Sequence, residues 1–461
     1  MIWDVVIVGA GPAGIFAALE FTRNAPGLSV LVVDKGKSLD ARKCPRGGQV
    51  GGCLECSPCS VTSGWGGAGA FSDGKLTLTT RFGGFLDEYL SDEHLSDLLE
   101  YIDATWRDFG APGRLYGTDG EAIQNLVTRA ARAGLELVPG KIRHLGTENC
   151  PEILKNMFDH LSSKVEIRTD TNVHRFLTAD GRIYGVELGD GTIERCKYLI
   201  AAPGREGAEW FSGETRRLGL TAENNPVDIG VRVEVPAVIT DETTEKVWEP
   251  KIHYYSKAFD DLVRTFCVCP RGEVVTENSC GVVTVNGHSR TSSTLENTNF
   301  AILVSKTFTE PFKEPIEYGK YIASLANMLG GGAIVQRLGD LWEGRRSTAK
   351  RLAKSMVQPS LKEATPGDLT LVLPYRHIKN IMEMLEALDR LMPGIWSKST
   401  LLYGVEAKFY SLRVKVTPGM ETEIPGMYAA GDGAGVTRSL AQASVSGVKA
   451  ARSVICAISS N

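Results

Sequence analysis

Four cysteines spaced C-x8-C-x2-C-x2-C (Cys44, Cys53, Cys56 and Cys59) are the densest group of potential ligands in the chain. Gaps of two residues let Cys53, Cys56 and Cys59 point inward from one turn, as in ferredoxin ligand runs, with Cys44 able to close a fourth corner. The same set fits zinc. Two of the thiols could instead form a redox disulfide, and four inert buried thiols are the bland alternative. Just beyond lies a second glycine-rich loop, Gly64-Trp-Gly-Gly-Ala-Gly-Ala-Phe-Ser-Asp-Gly-Lys75. It lacks the Walker spacing of a P-loop. Gly66 and Gly67 would let backbone approach a planar ligand, and Lys75 could stabilise negative charge on it. His253, Tyr255, His288 and Arg290 are further candidates for proton transfer or carboxylate binding, as are Glu406 and Arg413. Cys267 and Cys269, two apart on an expected strand, would share one side of it.

Such groups need a scaffold, and the first 34 residues supply its pattern. Ile-Trp-Asp-Val-Val-Ile-Val (2–8) is a short apolar, β-branched run. It meets Gly9-Ala-Gly11-Pro12-Ala13-Gly14 and then an apolar helical pattern. A second buried-strand run, 28–33, ends on Asp34. Strand, glycine turn, helix, strand and acid together form a dinucleotide-binding βαβ unit. Gly9 allows the tight turn, Gly11 the approach of a pyrophosphate, and Gly14 close packing of helix on strand. The helix N-terminus offers free N–H groups to the phosphates. Asp34, 20 residues beyond Gly14, is placed to accept from ribose hydroxyls.

Composition narrows the class. The 461 residues predict two or three domains, with 43% apolar and 23% charged residues as in ordinary soluble proteins. A net charge of −4 without strong basic clustering excludes a nucleic-acid footprint. No run of 18 apolar residues predicts a membrane span, and the N-terminus lacks the basic region of a secretory signal. A cytoplasmic protein is expected. Its ten cysteines then point to metal, cluster or redox use.

Residues 85–108 and 120–133 carry helical spacing, and 165–200 reads as short strands running into Ala202-Pro-Gly204-Arg205. Residues 226–305 look β-rich, 316–330 and 377–391 helical, and 340–370 polar with little pattern. Near the C-terminus a short strand ends in Gly431-Asp432 and a helix follows from about residue 440. In a flavin-binding sheet a strand-end Asp can bond the ribitol, and the next helix N-terminus can face the flavin carbonyl. The alternative is that Asp432 only caps that helix.

With these residues assembled, the chain resembles the glutathione-reductase-like FAD superfamily, and within it a family of FAD-dependent dehydrogenases carrying a CxxCxxC stretch. The shared stretches are Gly9–Gly14, Cys53–Cys59, Gly66–Lys75, Ala202–Arg205 and Gly431–Gly435. The 406–413 segment departs from the Glu-Thr-Arg-Thr-Ser type expected there. The resemblance implies an α/β fold: a discontinuous Rossmann-like FAD-binding domain (1–84, 141–225, 400–461) with a helical insertion (85–140) and an inserted β-rich α+β substrate domain (226–399). The FAD contacts it implies are Gly9, Gly11, Pro12, Ala13, Gly14, Asp34, Lys35, Gly66, Gly67, Val173, Ala202, Gly204, Arg205, Gly431, Asp432 and Ala441. Lys75, His253, Tyr255, Glu406 and Arg413 are the catalytic candidates. Cys44, Cys53, Cys56 and Cys59 are candidate ligands of a 4Fe-4S cluster or of zinc. No second GxGxxG follows a strand, so NAD(P)H would dock transiently or a ferredoxin-like carrier would deliver electrons. The expected activity is hydride transfer between FAD and a small organic, unsaturated or cyclic, substrate, in a chain that can form a homo-oligomer. A flavin monooxygenase and a non-catalytic electron-transfer or redox-sensing flavoprotein are the alternatives.

Overall fold

The computed structural model describes residues 2–45, 54, 56–72, 74–279, 281–289, 295–308, 311–312 and 314–460. Two sheets dominate it. The first has seven strands. Ile2–Val8 lies at its centre, parallel to Val30–Val33 on one side and to Ile193–Ala201 on the other. Glu166–Arg168 extends the sheet beyond Val30–Val33, and Met427–Ala429 joins Ile193–Ala201, both in parallel. An antiparallel hairpin, Val173–Ala179 with Arg182–Leu188, completes it.

This parallel sheet is covered on both faces, which explains the unbroken apolar runs of its strands. Val5 and Ile7 belong to a core shared with helices Pro12–Asn24, Asp92–Asp108, Cys150–Leu161 and Leu440–Ser459. Val6, Val8, Leu31 and Val33 face a second core with the hairpin and Phe211. The first and last helices cross tightly: a Cβ on Gly447 would lie 2.0 Å from the Ala13 carbonyl oxygen. Ser439 starts the last helix by accepting from the Gln442 N–H.

The second sheet has eight strands in the order Thr365–Pro366, Ile334–Arg337, Leu401–Lys408, Val227–Pro236, Asn297–Lys306, Leu262–Cys269, Lys251–Tyr255 and Glu136–Val138. Helices Gly120–Arg132, Pro315–Gly330 and Tyr375–Leu391 pack on its apolar face, around Val231, Val233, Ile302 and Leu402. The α/β class, with a Rossmann-like sheet joined to a β-rich α+β unit, is therefore as the sequence led us to expect.

Two boundaries differ from the expected ones. Leu401–Lys408, expected with the C-terminal nucleotide-binding segment, pairs with Val227–Pro236 in the second sheet. Every residue of it is buried, so it serves as an inner strand. The segment 85–140 is also no single insertion. Helix Asp92–Asp108 packs on the first core through Leu95, Leu99, Ile102 and Trp106, whereas Leu126, Ala130 and Leu137 belong to the second. The weakly patterned stretch 340–370 holds the short helices Leu338–Trp342 and Ala349–Leu352 and the edge strand Thr365–Pro366. Among the described residues, no helix is long and apolar enough to cross a membrane.

Gly447→Val tests the helix crossing. Its side chain must push the two long helices apart, and overpacking of this kind costs about 1–3 kcal/mol or more. The urea midpoint of the variant is expected to fall well below that of the native chain, and an unchanged midpoint would refute the crossing.

Candidate active site

Four parallel strands end side by side, and each of their C-terminal ends carries a sequence feature singled out above. Ile2–Val8 runs into Gly9, Val30–Val33 into Asp34, Ile193–Ala201 into Ala202, and Met427–Ala429 into Gly431 and Asp432. Open parallel sheets bind ligands beyond these ends.

The local geometry explains the small residues. Gly9 has φ of 108°, and a Cβ there would meet the Ala202 carbonyl oxygen at 2.0 Å. A Cβ on Gly14 would meet the Gly9 carbonyl oxygen at 1.9 Å. Both glycines are therefore set by close backbone packing. Gly11 differs: a Cβ there finds nothing nearer than Gly67 Cα at 3.9 Å. Helix Pro12–Asn24 begins at this open position with Pro12 in its first turn and no side-chain cap. Its leading N–H groups and positive dipole end thus face a slot walled by Gly67. The Gly66 N–H anchors the facing loop to the Ala10 carbonyl.

Asp34 is more heavily used than the sequence indicated. Its carboxylate accepts from the backbone N–H groups of Ala10 (2.8 Å), Gly36 (2.8 Å) and Gly64 (2.9 Å). It ties the glycine turn to the second glycine loop, and a carboxylate's roughly four lone-pair sites leave room for one more donor. Arg42 holds the same loop, donating to the carbonyls of Ser60, Val61, Trp65 and Gly67. Burial pushes its guanidinium down to about 10.

Lys35 reaches the carbonyl and carboxylate of Glu206. Gly204 lies back to back with Gly433, where a Cβ would come 2.4 Å from the Gly204 oxygen. Asp432 accepts from Thr437 Oγ1 at 2.7 Å and from Arg205 Nε at 3.2 Å. Val173 and Ala441 are buried in the two cores of this half.

Part of the polar face of the second sheet meets the second glycine loop, from which Lys75 reaches Glu249 and the Val268 carbonyl. Along Val227–Pro236 the odd positions from Val227 to Val235 enter the apolar core, while Asp228, Arg232 and Glu234 point the other way yet are also buried. Arg232 and Glu406, both at 0% exposure, form a bidentate pair at 2.7 and 2.9 Å. Arg232 also donates to the Cys267 carbonyl, Asn299 and Asn286, which uses all five of its N–H groups. Burial disfavours its charge, but Glu406 more than compensates and raises its pKa. Lys408 lies 3.3 Å from Glu406 and 3.6 Å from Glu277.

Beside this pair, Lys75 and Lys251 flank Glu249 at 3.3 and 2.6 Å. Lys75 also donates to the Val268 carbonyl. Burial opposes ionisation of Glu249, yet Lys251 and Lys75 hold its carboxyl down to about 2 from an ordinary 4.5. Asp228 accepts from Arg264, Ser305 and Tyr410. The Phe266 ring lies under three cations, with Lys251 at 4.4 Å, Arg264 at 5.3 Å and Lys408 at 5.9 Å.

Of the catalytic candidates, Lys75 and Glu406 thus enter one buried network. His253 sits on the same face, half-buried, with burial and then Arg264 pushing its imidazole below the usual range. Tyr255 is 59% exposed at the strand end. Arg413 pairs with Glu88 and Glu223 on the rim. Cys267 and Cys269 sit at an irregularity of their strand with Sγ atoms 3.9 Å apart. Cys267 has φ of 45°, so the two do not follow simple strand alternation. Arg290, Asp73 and Cys53 lie outside the described residues. Cys44 and Cys56 are exposed and Cys59 half-buried, and among the described residues no three His, Cys, Asp or Glu side chains gather as a metal site.

The charged residues Asp228, Arg232, Lys251, Arg264, Lys408 and Arg438 were not singled out from sequence. For Asp228 and Arg232 the signal is the alternation of polar residues with Val and Ile in Asp228-Ile-Gly-Val-Arg232-Val-Glu234.

Residues 226–409 match the family described as "FAD-dependent protein, C-terminal domain-like", and residues 4–43 match "Lycopene cyclase protein". The chain is 28% identical to an "Uncharacterized protein" of Clostridium beijerinckii, over 98% of this chain and 80% of that one. Among solved structures it is similar to glycine oxidase from Bacillus cereus, at 14% identity and a TM-score of 0.39, covering 99% of this chain and 95% of that one. It is also similar to L-proline dehydrogenase from P. horikoshii, at 11% identity and a TM-score of 0.41, covering 97% and 91%.

Two outcomes follow from the buried network. Glu406→Gln strands the Arg232 charge and is expected to cost about 3–5 kcal/mol in chemical unfolding, with much of the loss recovered when Arg232→Met is added. A Glu406→Gln variant as stable as the native chain would refute the pairing. Glu249, with a depressed pKa in the fold, contributes stability that is complete above pH 4.5 and is lost as pH falls from 4.5 toward 2. Urea midpoints measured across that interval should fall less in Glu249→Gln than in the native chain.

Proposed function

We propose that this protein is an FAD-dependent oxidoreductase that exchanges hydride between FAD and a small organic substrate. The observation that carries this reading is the convergence of Gly9–Gly14, Asp34, Ala202–Gly204 and Gly431–Asp432 at four parallel strand ends, facing the domain that matches the FAD-dependent family. The residues fit the group. The uncapped helix at Gly11 offers N–H groups to a pyrophosphate, in a slot that a larger residue would fill. Asp34 has one acceptor site left for a ribose hydroxyl, and Asp432 would meet the ribitol chain.

Bound FAD would supply the hydride-accepting and hydride-donating chemistry. The chain's own part is positioning and electrostatics. Lys251 and Lys408 on the polar face of the second sheet, and Lys75 reaching it from the second glycine loop, would stabilise negative charge developing on a reduced ring or on substrate. His253, whose imidazole is held below the usual range by burial, would take up or release a proton at a ring nitrogen. NAD(P)H docking transiently, or a ferredoxin-like carrier, would supply electrons. Iron, sulfide and zinc assays on anaerobically purified protein decide whether Cys44, Cys53, Cys56 and Cys59 hold a 4Fe-4S cluster, zinc or neither.

Flavin released by boiling and separated by chromatography is expected to be FAD. Recovery of FMN, or of no flavin after expression with ample riboflavin, would overturn the reading. Asp432→Ala should weaken flavin retention by about tenfold or more, the value of a charged hydrogen bond, and unchanged occupancy would count against its placement.

A further inference from the structure

Resting on that reading, we propose that the substrate carries a carboxylate, and that the Arg438 guanidinium in the cleft between the two sheets is the group that binds it. The cleft is lined by Arg205, Asn225, Tyr410, Asp432, Thr437 and Arg438. It therefore lies where the last nucleotide-binding strand end meets the polar face of the second sheet.

Seven cationic side chains gather along this junction, and six of them have a carboxylate within salt-bridge distance. Lys75 and Lys251 share Glu249, and Lys408 and Arg232 share Glu406. Arg264 has Asp228, and Arg205 has Asp432. Arg438 alone of the seven has no such partner among the described residues. Its Nε and Nη2 are buried and donate to no partner among the described side chains or backbone. An unsatisfied buried donor costs about 1–3 kcal/mol, more when charged. In a cleft, two such donors on one guanidinium form an edge that a ligand would satisfy.

The stacking around Arg438 defines the shape of that ligand. Its guanidinium lies 3.6 Å from the centre of the Tyr410 ring and 4.4 Å from that of Phe85. Tyr410 is fixed by its hydroxyl, which donates to Asp228 at 2.6 Å. The backbone is fixed too: the Arg438 N–H donates to the Gly83 carbonyl, and Phe85 N–H to that of Val436. With aromatic rings against its faces, the guanidinium can hydrogen-bond only through its edges. Nε and Nη2 are the adjacent pair on one edge, which matches the two oxygens of a carboxylate lying in the same plane. Burial pushes the Arg438 pKa downward, and the nearby Tyr410, Asp228 and Asp432 only partly oppose it, so an anion on the open edge would further favour the charged form.

The test uses the FAD-loaded protein and titrates it with benzoate, succinate and inorganic phosphate, reading both the flavin absorption spectrum and the unfolding temperature. A carboxylate is expected to perturb the flavin spectrum and raise the unfolding temperature. Arg438→Met should weaken that binding about tenfold or more while retaining FAD, and Arg438→Lys should restore part of it. Three results would overturn the proposal: no response of the native protein to either carboxylate, tighter binding of phosphate than of both carboxylates, or an Arg438→Met variant that binds carboxylate normally but loses FAD. The last would show that Arg438 serves the cofactor. A native protein that never carries FAD would refute the redox reading instead, and the carboxylate-dependent unfolding temperature would then still decide whether Arg438 binds an anion.

Discussion

The ion pair between Arg232 and Glu406 is the constraint around which the second half of the molecule is arranged. Neither side chain touches water, and taking two charges out of water costs several kcal/mol per ion unless every donor and acceptor is met. Asn299, Asn286 and the Cys267 carbonyl complete the Arg232 donors, and each comes from a different strand. Satisfying one arginine therefore fixes the register of Val227–Pro236 and Leu401–Lys408, the placement of the Glu273–Ser279/Val282–His288 hairpin, and the irregular end of Leu262–Cys269. An antiparallel sheet usually turns its polar face to solvent. Here that face is enclosed, and the enclosure makes its charges strong.

The Glu273–Ser279/Val282–His288 hairpin and residues 352–364 cover it around Arg232 and Tyr403, and the other half of the chain reaches it at Glu249. Lys75 leaves the second glycine loop to reach Glu249 and the Val268 carbonyl, so the loop that faces Gly11 also contacts the charged network. Asp34 and Arg42 brace that loop from the opposite side through backbone groups alone. The glycine-turn end of the first sheet and the charged face are thus coupled through one short glycine-rich segment. This explains why its residues are small and why its one long cation is buried.

The parts legible in the sequence are those governed by local rules. The βαβ unit follows from β-branched runs, glycines at a turn that cannot hold a Cβ, and an acid at a strand end. The final helix follows from its Ser439 cap and long apolar pattern. Asp34 shows the limit of such reading: its position was evident, but its three backbone donors come from segments as far as 30 residues away. Arg413 and Tyr255 had the chemistry expected of a site, yet the fold places one on the rim with Glu88 and Glu223 and leaves the other in solvent.

The sequence by itself determined the Rossmann-like unit, its return at Gly431-Asp432 and the β-rich second half, because each depends on periodicity and on backbone conformations that only certain residues permit. The tertiary structure alone decided which charges share a site. Arg232 and Glu406 are 174 positions apart, and Asp228 and Tyr410 are 182 apart. A strand's alternation shows that such residues lie on its polar side, but not whether that side meets water or another domain. That depends on how two sheets pack, and packing is a property of the whole chain.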